Sequence, residues 1–255
     1  MHDQPTSQTR RGPDEIREAM NHDWEAGNIL MGEIFRRGFD SYAAHVQDIA
    51  GTFALEDRTV RCIDEGTPGG IHFAGSGILA DFEDAVAWMQ AAAVDGVTSH
   101  TGCGAANLYA QRSGRDLSEA EKLGIEHAQR IAAALGVPYR GHITKLKRPP
   151  EYHDARVIYV DDTGTFDSDR SSGLPRGLLI SRAHLNPAYA LQEVEVAISI
   201  TLGDHGFGER FTPASPLMLA AVRPSRSPER DAALMQIAGK FSGRVRVDVF
   251  GAPDA

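Results

Sequence analysis

Residues 96–112, GVTSHTGCGAANLYAQR, contain the change from strand to helix on which both the fold and the site depend. The stretch ending at His100 reads as a short strand, and a helix begins within one turn of it. His100 and Cys103 therefore lie three residues apart at a strand-to-helix turn, where both side chains can face one point. Cys103 falls at the helix N-terminus, where free N–H groups and the helix dipole favour a thiolate. Gly102 and Gly104 keep this turn open.

A second segment, residues 58–63 with the sequence RTVRCI, predicts another short strand, which ends at Cys62 and is followed by Asp64. In a parallel sheet the strand ends meet at one edge, where α/β proteins bind their ligands. We therefore expect Cys62, His100 and Cys103 to converge at that edge. Two thiolates and one imidazole form a tetrahedral zinc site with one position left over. The chain has no other cysteine, so each of its thiols stands beside another good metal ligand.

The rest of the chain alternates helices with strands, which predicts an α/β fold with a mostly parallel central sheet flanked by helices. Apolar residues have helical spacing at 13–38, 81–93, 117–135, 187–202 and 227–240, and short apolar runs typical of strands occur at 141–146, 155–162, 177–183, 217–223 and 243–250. The sequence shows no internal repeat. We expect a disordered tail at 1–12, a zinc domain at 13–183 and a C-terminal β-α-β extension at 184–255 packed on that domain.

Composition excludes several classes of protein. With 255 residues, of which 42% are hydrophobic, the chain can bury a sizeable core. Its net charge of -9 argues against a nucleic-acid partner, because nucleic-acid-binding proteins present basic surfaces. No apolar run reaches the roughly 18 residues of a membrane span, and the N-terminus lacks the apolar stretch of a secretory signal. We therefore expect a cytoplasmic protein without a membrane or nucleic-acid partner.

The pattern Cys62-x-Asp64, followed by His100-x-x-Cys103, resembles the zinc motif of the β-class carbonic anhydrases. The stretch VTSHTGCGAAN carries the strongest resemblance. The loop IHFAGSGIL is similar to the family's loop after the first zinc cysteine, and VIYVDDTGTFD is similar to a late strand that ends in a Thr-Gly turn. The resemblance covers roughly residues 55–165.

The resemblance implies a β-carbonic-anhydrase-like fold and one Zn2+ ion held by Cys62, His100 and Cys103. Asp64 would be the catalytic residue that accepts a hydrogen bond from zinc-bound water. Zinc would supply hydroxide near neutral pH. The implied reaction is the reversible hydration of CO2 to bicarbonate, or attack on a related small molecule such as CS2 or COS.

The same resemblance implies an oligomer. Enzymes of this family are dimers or larger, with an N-terminal helix that embraces the partner. The predicted helix at 13–38 carries two aromatic side chains suited to such a contact, Trp24 and Phe35. We therefore expect a homodimer or a higher homo-oligomer.

One position departs from the family pattern. The family motif continues Cys-x-Asp-x-Arg, and its arginine holds the aspartate, but here that position is Gly66. Arg61 should point to the opposite face of its strand, so we expect no local substitute. Asp64 is then expected to act as a fourth metal ligand and to close the site at least in part. The alternative function is a non-catalytic protein that is stabilised by a closed zinc site of two cysteines, one histidine and one aspartate.

Simpler interpretations stay open for the same residues. Cys62 and Cys103 could be buried, unreactive thiols. Asp64 could cap the glycine-rich loop at 66–77 by accepting backbone hydrogen bonds. That loop lacks the GK[ST] sequence of a phosphate-binding loop. His72 within it is interpreted as a surface histidine, with a proton shuttle as the alternative.

Overall fold

Short apolar runs form parallel strands that are arranged in two sheets. In the computed structural model, which describes residues 11–226 and 231–253, the sheets have the strand orders β2-β1-β3-β4 and β6-β5-β7-β8. The strands are β1 (Thr59–Arg61), β2 (Ile71–His72), β3 (Gly96–His100), β4 (Tyr139–Ile143), β5 (Val157–Asp161), β6 (Gly177–Ile180), β7 (Leu217–Arg223) and β8 (Val245–Gly251). Neighbouring strands are parallel in both sheets. The predicted α/β class is confirmed.

The two sheets meet where β6 lies against β2. Leu179 N donates to the Ile63 carbonyl at 3.1 Å, and Ser181 N donates to the His72 carbonyl at the same distance. The Ser181 hydroxyl in turn accepts a hydrogen bond from His72 N at 3.0 Å. The predicted central sheet is thus two parallel sheets that are joined by hydrogen bonds between β6 and Ser181 on one side and β2 and Ile63, a residue after β1, on the other.

Helices cover the sheets. They are α1 (Pro13–Arg37), α2 (Phe39–Ala43), α3 (Phe82–Ala91), α4 (Gly104–Arg112), α5 (Ala120–Leu135), α6 (Pro187–Leu202) and α7 (Ala232–Gly239). α5 packs on β3 and β4, α6 on β5 and β6, and α7 on β8. In the described part of the chain, the helices are too short or too polar to cross a membrane.

The start of one helix differs from that predicted. Asp231 accepts hydrogen bonds from Ala233 N and Leu234 N and caps α7, so this helix begins later than the 227 predicted from sequence. Residues 227–230 lie outside the described residues, as do residues 1–10 of the predicted tail.

The strand order of the first sheet is repeated in the second. In each sheet the first strand along the chain lies between the second and the third, and the fourth strand lies at the far edge. The boundary predicted at 184 falls between β6 and α6, whereas sheet membership changes between β4 and β5. The chain therefore repeats a topology although its sequence shows no repeat.

Alternate residues of the buried strands supply two apolar cores, because successive side chains point to opposite faces of a sheet. The larger core extends over both sheets and takes in side chains from α3 to α7. The smaller core lies on the other face of the second sheet, and its members include Met31, Ile34, Phe39, Tyr159 and Phe250. The C-terminal part of α1, together with α2, therefore covers the face that the other helices leave open.

Trp24 of α1 is part of the larger core of its own chain. Its ring makes edge contacts with Phe207 and Phe211, both at 5.1 Å between centroids. The guanidinium of Arg156 stacks on it at 3.6 Å. The interpretation of Trp24 as a contact to a partner subunit is therefore wrong, because the side chain is buried among residues of the same chain. The homo-oligomer itself stays a prediction.

Candidate metal centre

Cys62, His100 and Cys103 lie together where two neighbouring parallel strands end. Cys62 directly follows β1, His100 is the last residue of β3, and Cys103 is the N-cap of α4. Their sulfur and nitrogen atoms lie within 4.8 Å of one another, and all three residues are buried. The structure thus brings together the three side chains that the two motifs predicted to converge.

The geometry of these residues fits a zinc ion. Two sulfurs bound at about 2.3 Å to a tetrahedral zinc lie about 3.8 Å apart, and the Cys62 and Cys103 sulfurs are 3.8 Å apart. In the neutral imidazole, His100 Nδ1 can donate to the Thr101 carbonyl, which lies at 2.9 Å, and Nε2 then carries the lone pair that a metal needs. That Nε2 is buried without a hydrogen-bond partner among the described residues. A bound metal would satisfy it, and the Nδ1 hydrogen bond would fix the ring.

The surroundings of Cys62 favour its thiolate, which is the form that binds metal. A hydrogen bond with Cys103 lowers the pKa of the Cys62 thiol well below its ordinary value; burial opposes this shift, and the charge of His100 adds to it. The same hydrogen bond, and then burial, raise the pKa of the Cys103 thiol, so the low pKa expected for Cys103 at the helix N-terminus is not found without a metal. Burial alone would lower the pKa of His100, but Cys62 raises it to about 9. Gly75 N also donates to the Cys62 sulfur at 3.2 Å.

Asp64 is held by an arginine from a distant part of the chain. Arg148 Nε lies 2.9 Å from Asp64 Oδ1 and 3.1 Å from Oδ2, and Arg148 Nη2 lies 3.0 Å from Oδ2. Burial disfavours the charged carboxylate, yet His100 and Arg148 bring the pKa of Asp64 down to about 2. The expected absence of a local substitute for the missing arginine is consistent with this, since Arg148 lies 84 residues away in sequence. Because Arg148 engages both oxygens, it competes with a metal for Asp64.

The carboxylate of Asp64 is not part of the group formed by the two cysteines and His100. It also accepts a hydrogen bond from Gly66 N at 2.8 Å, as a loop-capping aspartate does. The arrangement therefore differs from the closed site expected from the sequence. Three ligands face one point, and the candidate fourth ligand is fixed beside them.

Gly66 leaves the room that Arg148 occupies. A methyl group at position 66 would lie 2.7 Å from Leu146 Cβ, 2.9 Å from Asp64 Oδ1 and 3.0 Å from Arg148 Cγ. Arg148 is 84 residues away from Asp64 in sequence, so no motif spacing connects the two. The only local signal for such a partner is the missing side chain at position 66.

A second group of polar residues surrounds the Asp64–Arg148 pair. His153 Nδ1 lies 2.9 Å from Glu65 Oε2 and 3.9 Å from Asp64 Oδ2, and Arg148 Nε lies 4.0 Å from Glu65 Oε1. Asp64, Glu65 and His153 could also hold a metal by their spacing. The positive charge of the Arg148 guanidinium, however, already compensates the negative charges of Asp64 and Glu65. Asp154 N also donates a hydrogen bond to Glu65 Oε1 at 3.0 Å. We therefore interpret this group as a hydrogen-bonded ion cluster.

His72 is buried, with 2% of its surface exposed, so its interpretation as a surface histidine is wrong. Its Nδ1 lies 2.6 Å from the Cys62 carbonyl oxygen. Burial lowers the pKa of His72, which favours a neutral ring that donates from Nδ1 to this carbonyl. His72 thus supports the backbone of the first cysteine.

Comparison with known proteins identifies no relative of this chain. No family model, no curated protein and no solved structure matches this chain. What can be said about function therefore depends on the motif residues and on the geometry around Cys62, Asp64, His100, Cys103 and Arg148.

Proposed function

We propose that this protein is a cytoplasmic, zinc-dependent enzyme of carbonic anhydrase type. Its reaction would be the reversible hydration of CO2 to bicarbonate, or the hydrolysis of a related molecule such as COS or CS2. The observation that carries the proposal is the pairing of Asp64 with Arg148 beside three convergent metal ligands. A carboxylate that is held away from the ligands leaves one coordination position for chemistry, as catalytic zinc sites require.

Cys62, His100 and Cys103 would hold the zinc ion, which would supply Lewis acidity and a source of hydroxide near neutral pH. The role of Asp64 is to accept a hydrogen bond from the nucleophile and so to orient it. Its low pKa keeps it an acceptor throughout the physiological range. The role of Arg148 is to fix the carboxylate, because it contacts both oxygens.

The alternative is a zinc site that only stabilises the fold. The burial of the three ligands favours it, since they are only 4–8% exposed. A structural site has four protein ligands, however, and Arg148 binds the carboxylate of Asp64, the residue expected to complete such a site.

Stopped-flow measurement of CO2 hydration by the zinc-loaded protein tests the proposal. We expect activity in the wild type and its loss in Asp64→Ala, because the hydrogen-bond acceptor is removed. Asp95→Asn is a matched control, since Asp95 is a half-exposed carboxylate that pairs with Arg140 away from the metal ligands. A zinc-loaded wild type that turns over neither CO2 nor COS nor CS2 would contradict the proposal and favour the structural site.

A further inference from the structure

The loop that follows β2 has an unusual backbone. Gly75, Ser76 and Gly77 have φ angles of 55°, 56° and 85°. The left-handed region is unfavourable for a residue with a Cβ atom, so Ser76 needs support from its surroundings. Ser76 Oγ donates to the Thr98 carbonyl at 2.7 Å. The backbone here is therefore held in place by contacts, and not by local preference.

This loop delivers a backbone N–H group to the metal site. Gly75 N points at the Cys62 sulfur at 3.2 Å. A side chain at Gly75 would lie 2.7 Å from Ile78 and 3.4 Å from the Cys103 sulfur, so the backbone is packed against the site. The N–H group can approach the thiolate because nothing larger stands between them.

The neighbouring N–H group is held by a glutamate from the other half of the chain. Ala74 N donates to Glu193 Oε1 at 2.8 Å. Glu193 lies on α6, which packs on the second sheet, and it is 1% exposed. Burial raises the pKa of Glu193 to about 8. A carboxyl group is costly to bury, and an apolar residue at this position would leave Ala74 N without its acceptor.

We propose that Glu193 is a positioning residue of the metal centre, which fixes the loop so that Gly75 N–H donates to the Cys62 thiolate. The inference rests on the proposed zinc site and assigns part of its support to the second half of the chain. A hydrogen bond to a metal-bound thiolate withdraws electron density from the sulfur. The metal is then a stronger Lewis acid, as expected for groups around the ligands that tune a metal.

Cobalt substitution tests this role without reference to activity. Co2+ bound by two thiolates shows sulfur-to-metal charge-transfer absorption, whose energy depends on the electron density at sulfur. We expect Glu193→Leu to shift this band to lower energy and to weaken zinc binding about 10–100-fold. Glu193→Gln keeps an amide oxygen for Ala74 N and replaces a carboxyl group that is neutral near pH 7. Glu193→Gln should therefore show the same charge-transfer absorption and the same zinc affinity as the wild type.

Glu195→Leu is the matched control. Glu195 lies on the same helix, but its carboxylate pairs with Lys240 at the surface, so the substitution should leave band and affinity unchanged. If Glu193→Leu binds cobalt with an unshifted band, or if Glu193→Gln fails to restore it, the positioning role is wrong while the metal site stands. If the wild type binds no cobalt through its thiolates, the proposed site itself fails.

Discussion

Among single residues, we expect Arg148 to have a large effect on stability, because its ion pair with Asp64 is buried. Arg148→Gln leaves the buried Asp64 carboxylate without its cation, and breaking a buried pair on one side costs about 3–5 kcal/mol. Urea denaturation of the zinc-loaded protein measures this loss. Arg176→Gln is the control, because the pair of Arg176 with Asp154 is more exposed and should contribute less. Equal losses of unfolding free energy in the two variants would show that the Asp64–Arg148 pair stabilises the fold no more than the more exposed Asp154–Arg176 pair.

We expect the mostly buried carboxyl group of Asp154 to make the free energy of unfolding depend on pH. Burial, and then repulsion from Glu65, raise the pKa of Asp154 to about 7, whereas an unfolded aspartate has a pKa of about 3.9. The folded state therefore binds more protons between these values, and its free energy of unfolding should fall as pH rises through this window. Asp154→Asn should lack this contribution. Denaturation of both proteins at about pH 5 and about pH 8 measures it; parallel pH profiles would contradict the shift.

At the scale of elements, the loop after β1 is packed so tightly around Gly66 that we expect any side chain at this position to collide with its neighbours. Gly66→Ala should destabilise the protein by about 1–3 kcal/mol, as overpacking does, because the new methyl group meets Leu146 and Asp64. Gly32→Ala in α1 is the control, since nothing lies within 4 Å of its added methyl group. Thermal unfolding compares the two. A Gly66→Ala protein as stable as the control would show that Arg148 is free to move aside.

The strand-to-helix unit around His100 is the part that sequence predicts best. Its spacing, its glycines and the two neighbouring cysteines are local features, and local features determine where β3 ends and α4 begins. Arg148 and Glu193 are different, because their partners lie far away in sequence. Their contacts with Asp64 and Ala74 depend on how β4, α6 and the loops pack, and no pattern within a single segment encodes that packing.

At the scale of the molecule, the repeated strand order could not be predicted for the same reason. Short apolar runs predict strands, but which strands pair is decided by their long-range packing. The sheet formed by β5 to β8 lies against the first sheet through backbone hydrogen bonds to Ile63, which follows β1, and to His72 of β2. The second half of the chain therefore covers one edge of the sheet that carries the metal ligands.

The assembly prediction also belongs to the whole molecule. The family resemblance predicts a homodimer, so light scattering should give about twice the chain mass of 27.6 kDa at micromolar concentration. Trp24 is used within its own chain, so the interface must lie on other residues. A mass of one chain would refute the prediction.

Metal analysis of the purified protein and its variants tests whether Cys62, His100 and Cys103 hold a zinc ion. We expect about one zinc ion per chain in the wild type and loss of zinc in Cys62→Ser and in Cys103→Ser. Zinc should be retained in Asp64→Ala, because Arg148 and not the metal holds that carboxylate. Full zinc occupancy in a protein that carries both cysteine substitutions would contradict the site. Loss of zinc in Asp64→Ala as complete as in Cys103→Ser would contradict the open, three-ligand arrangement.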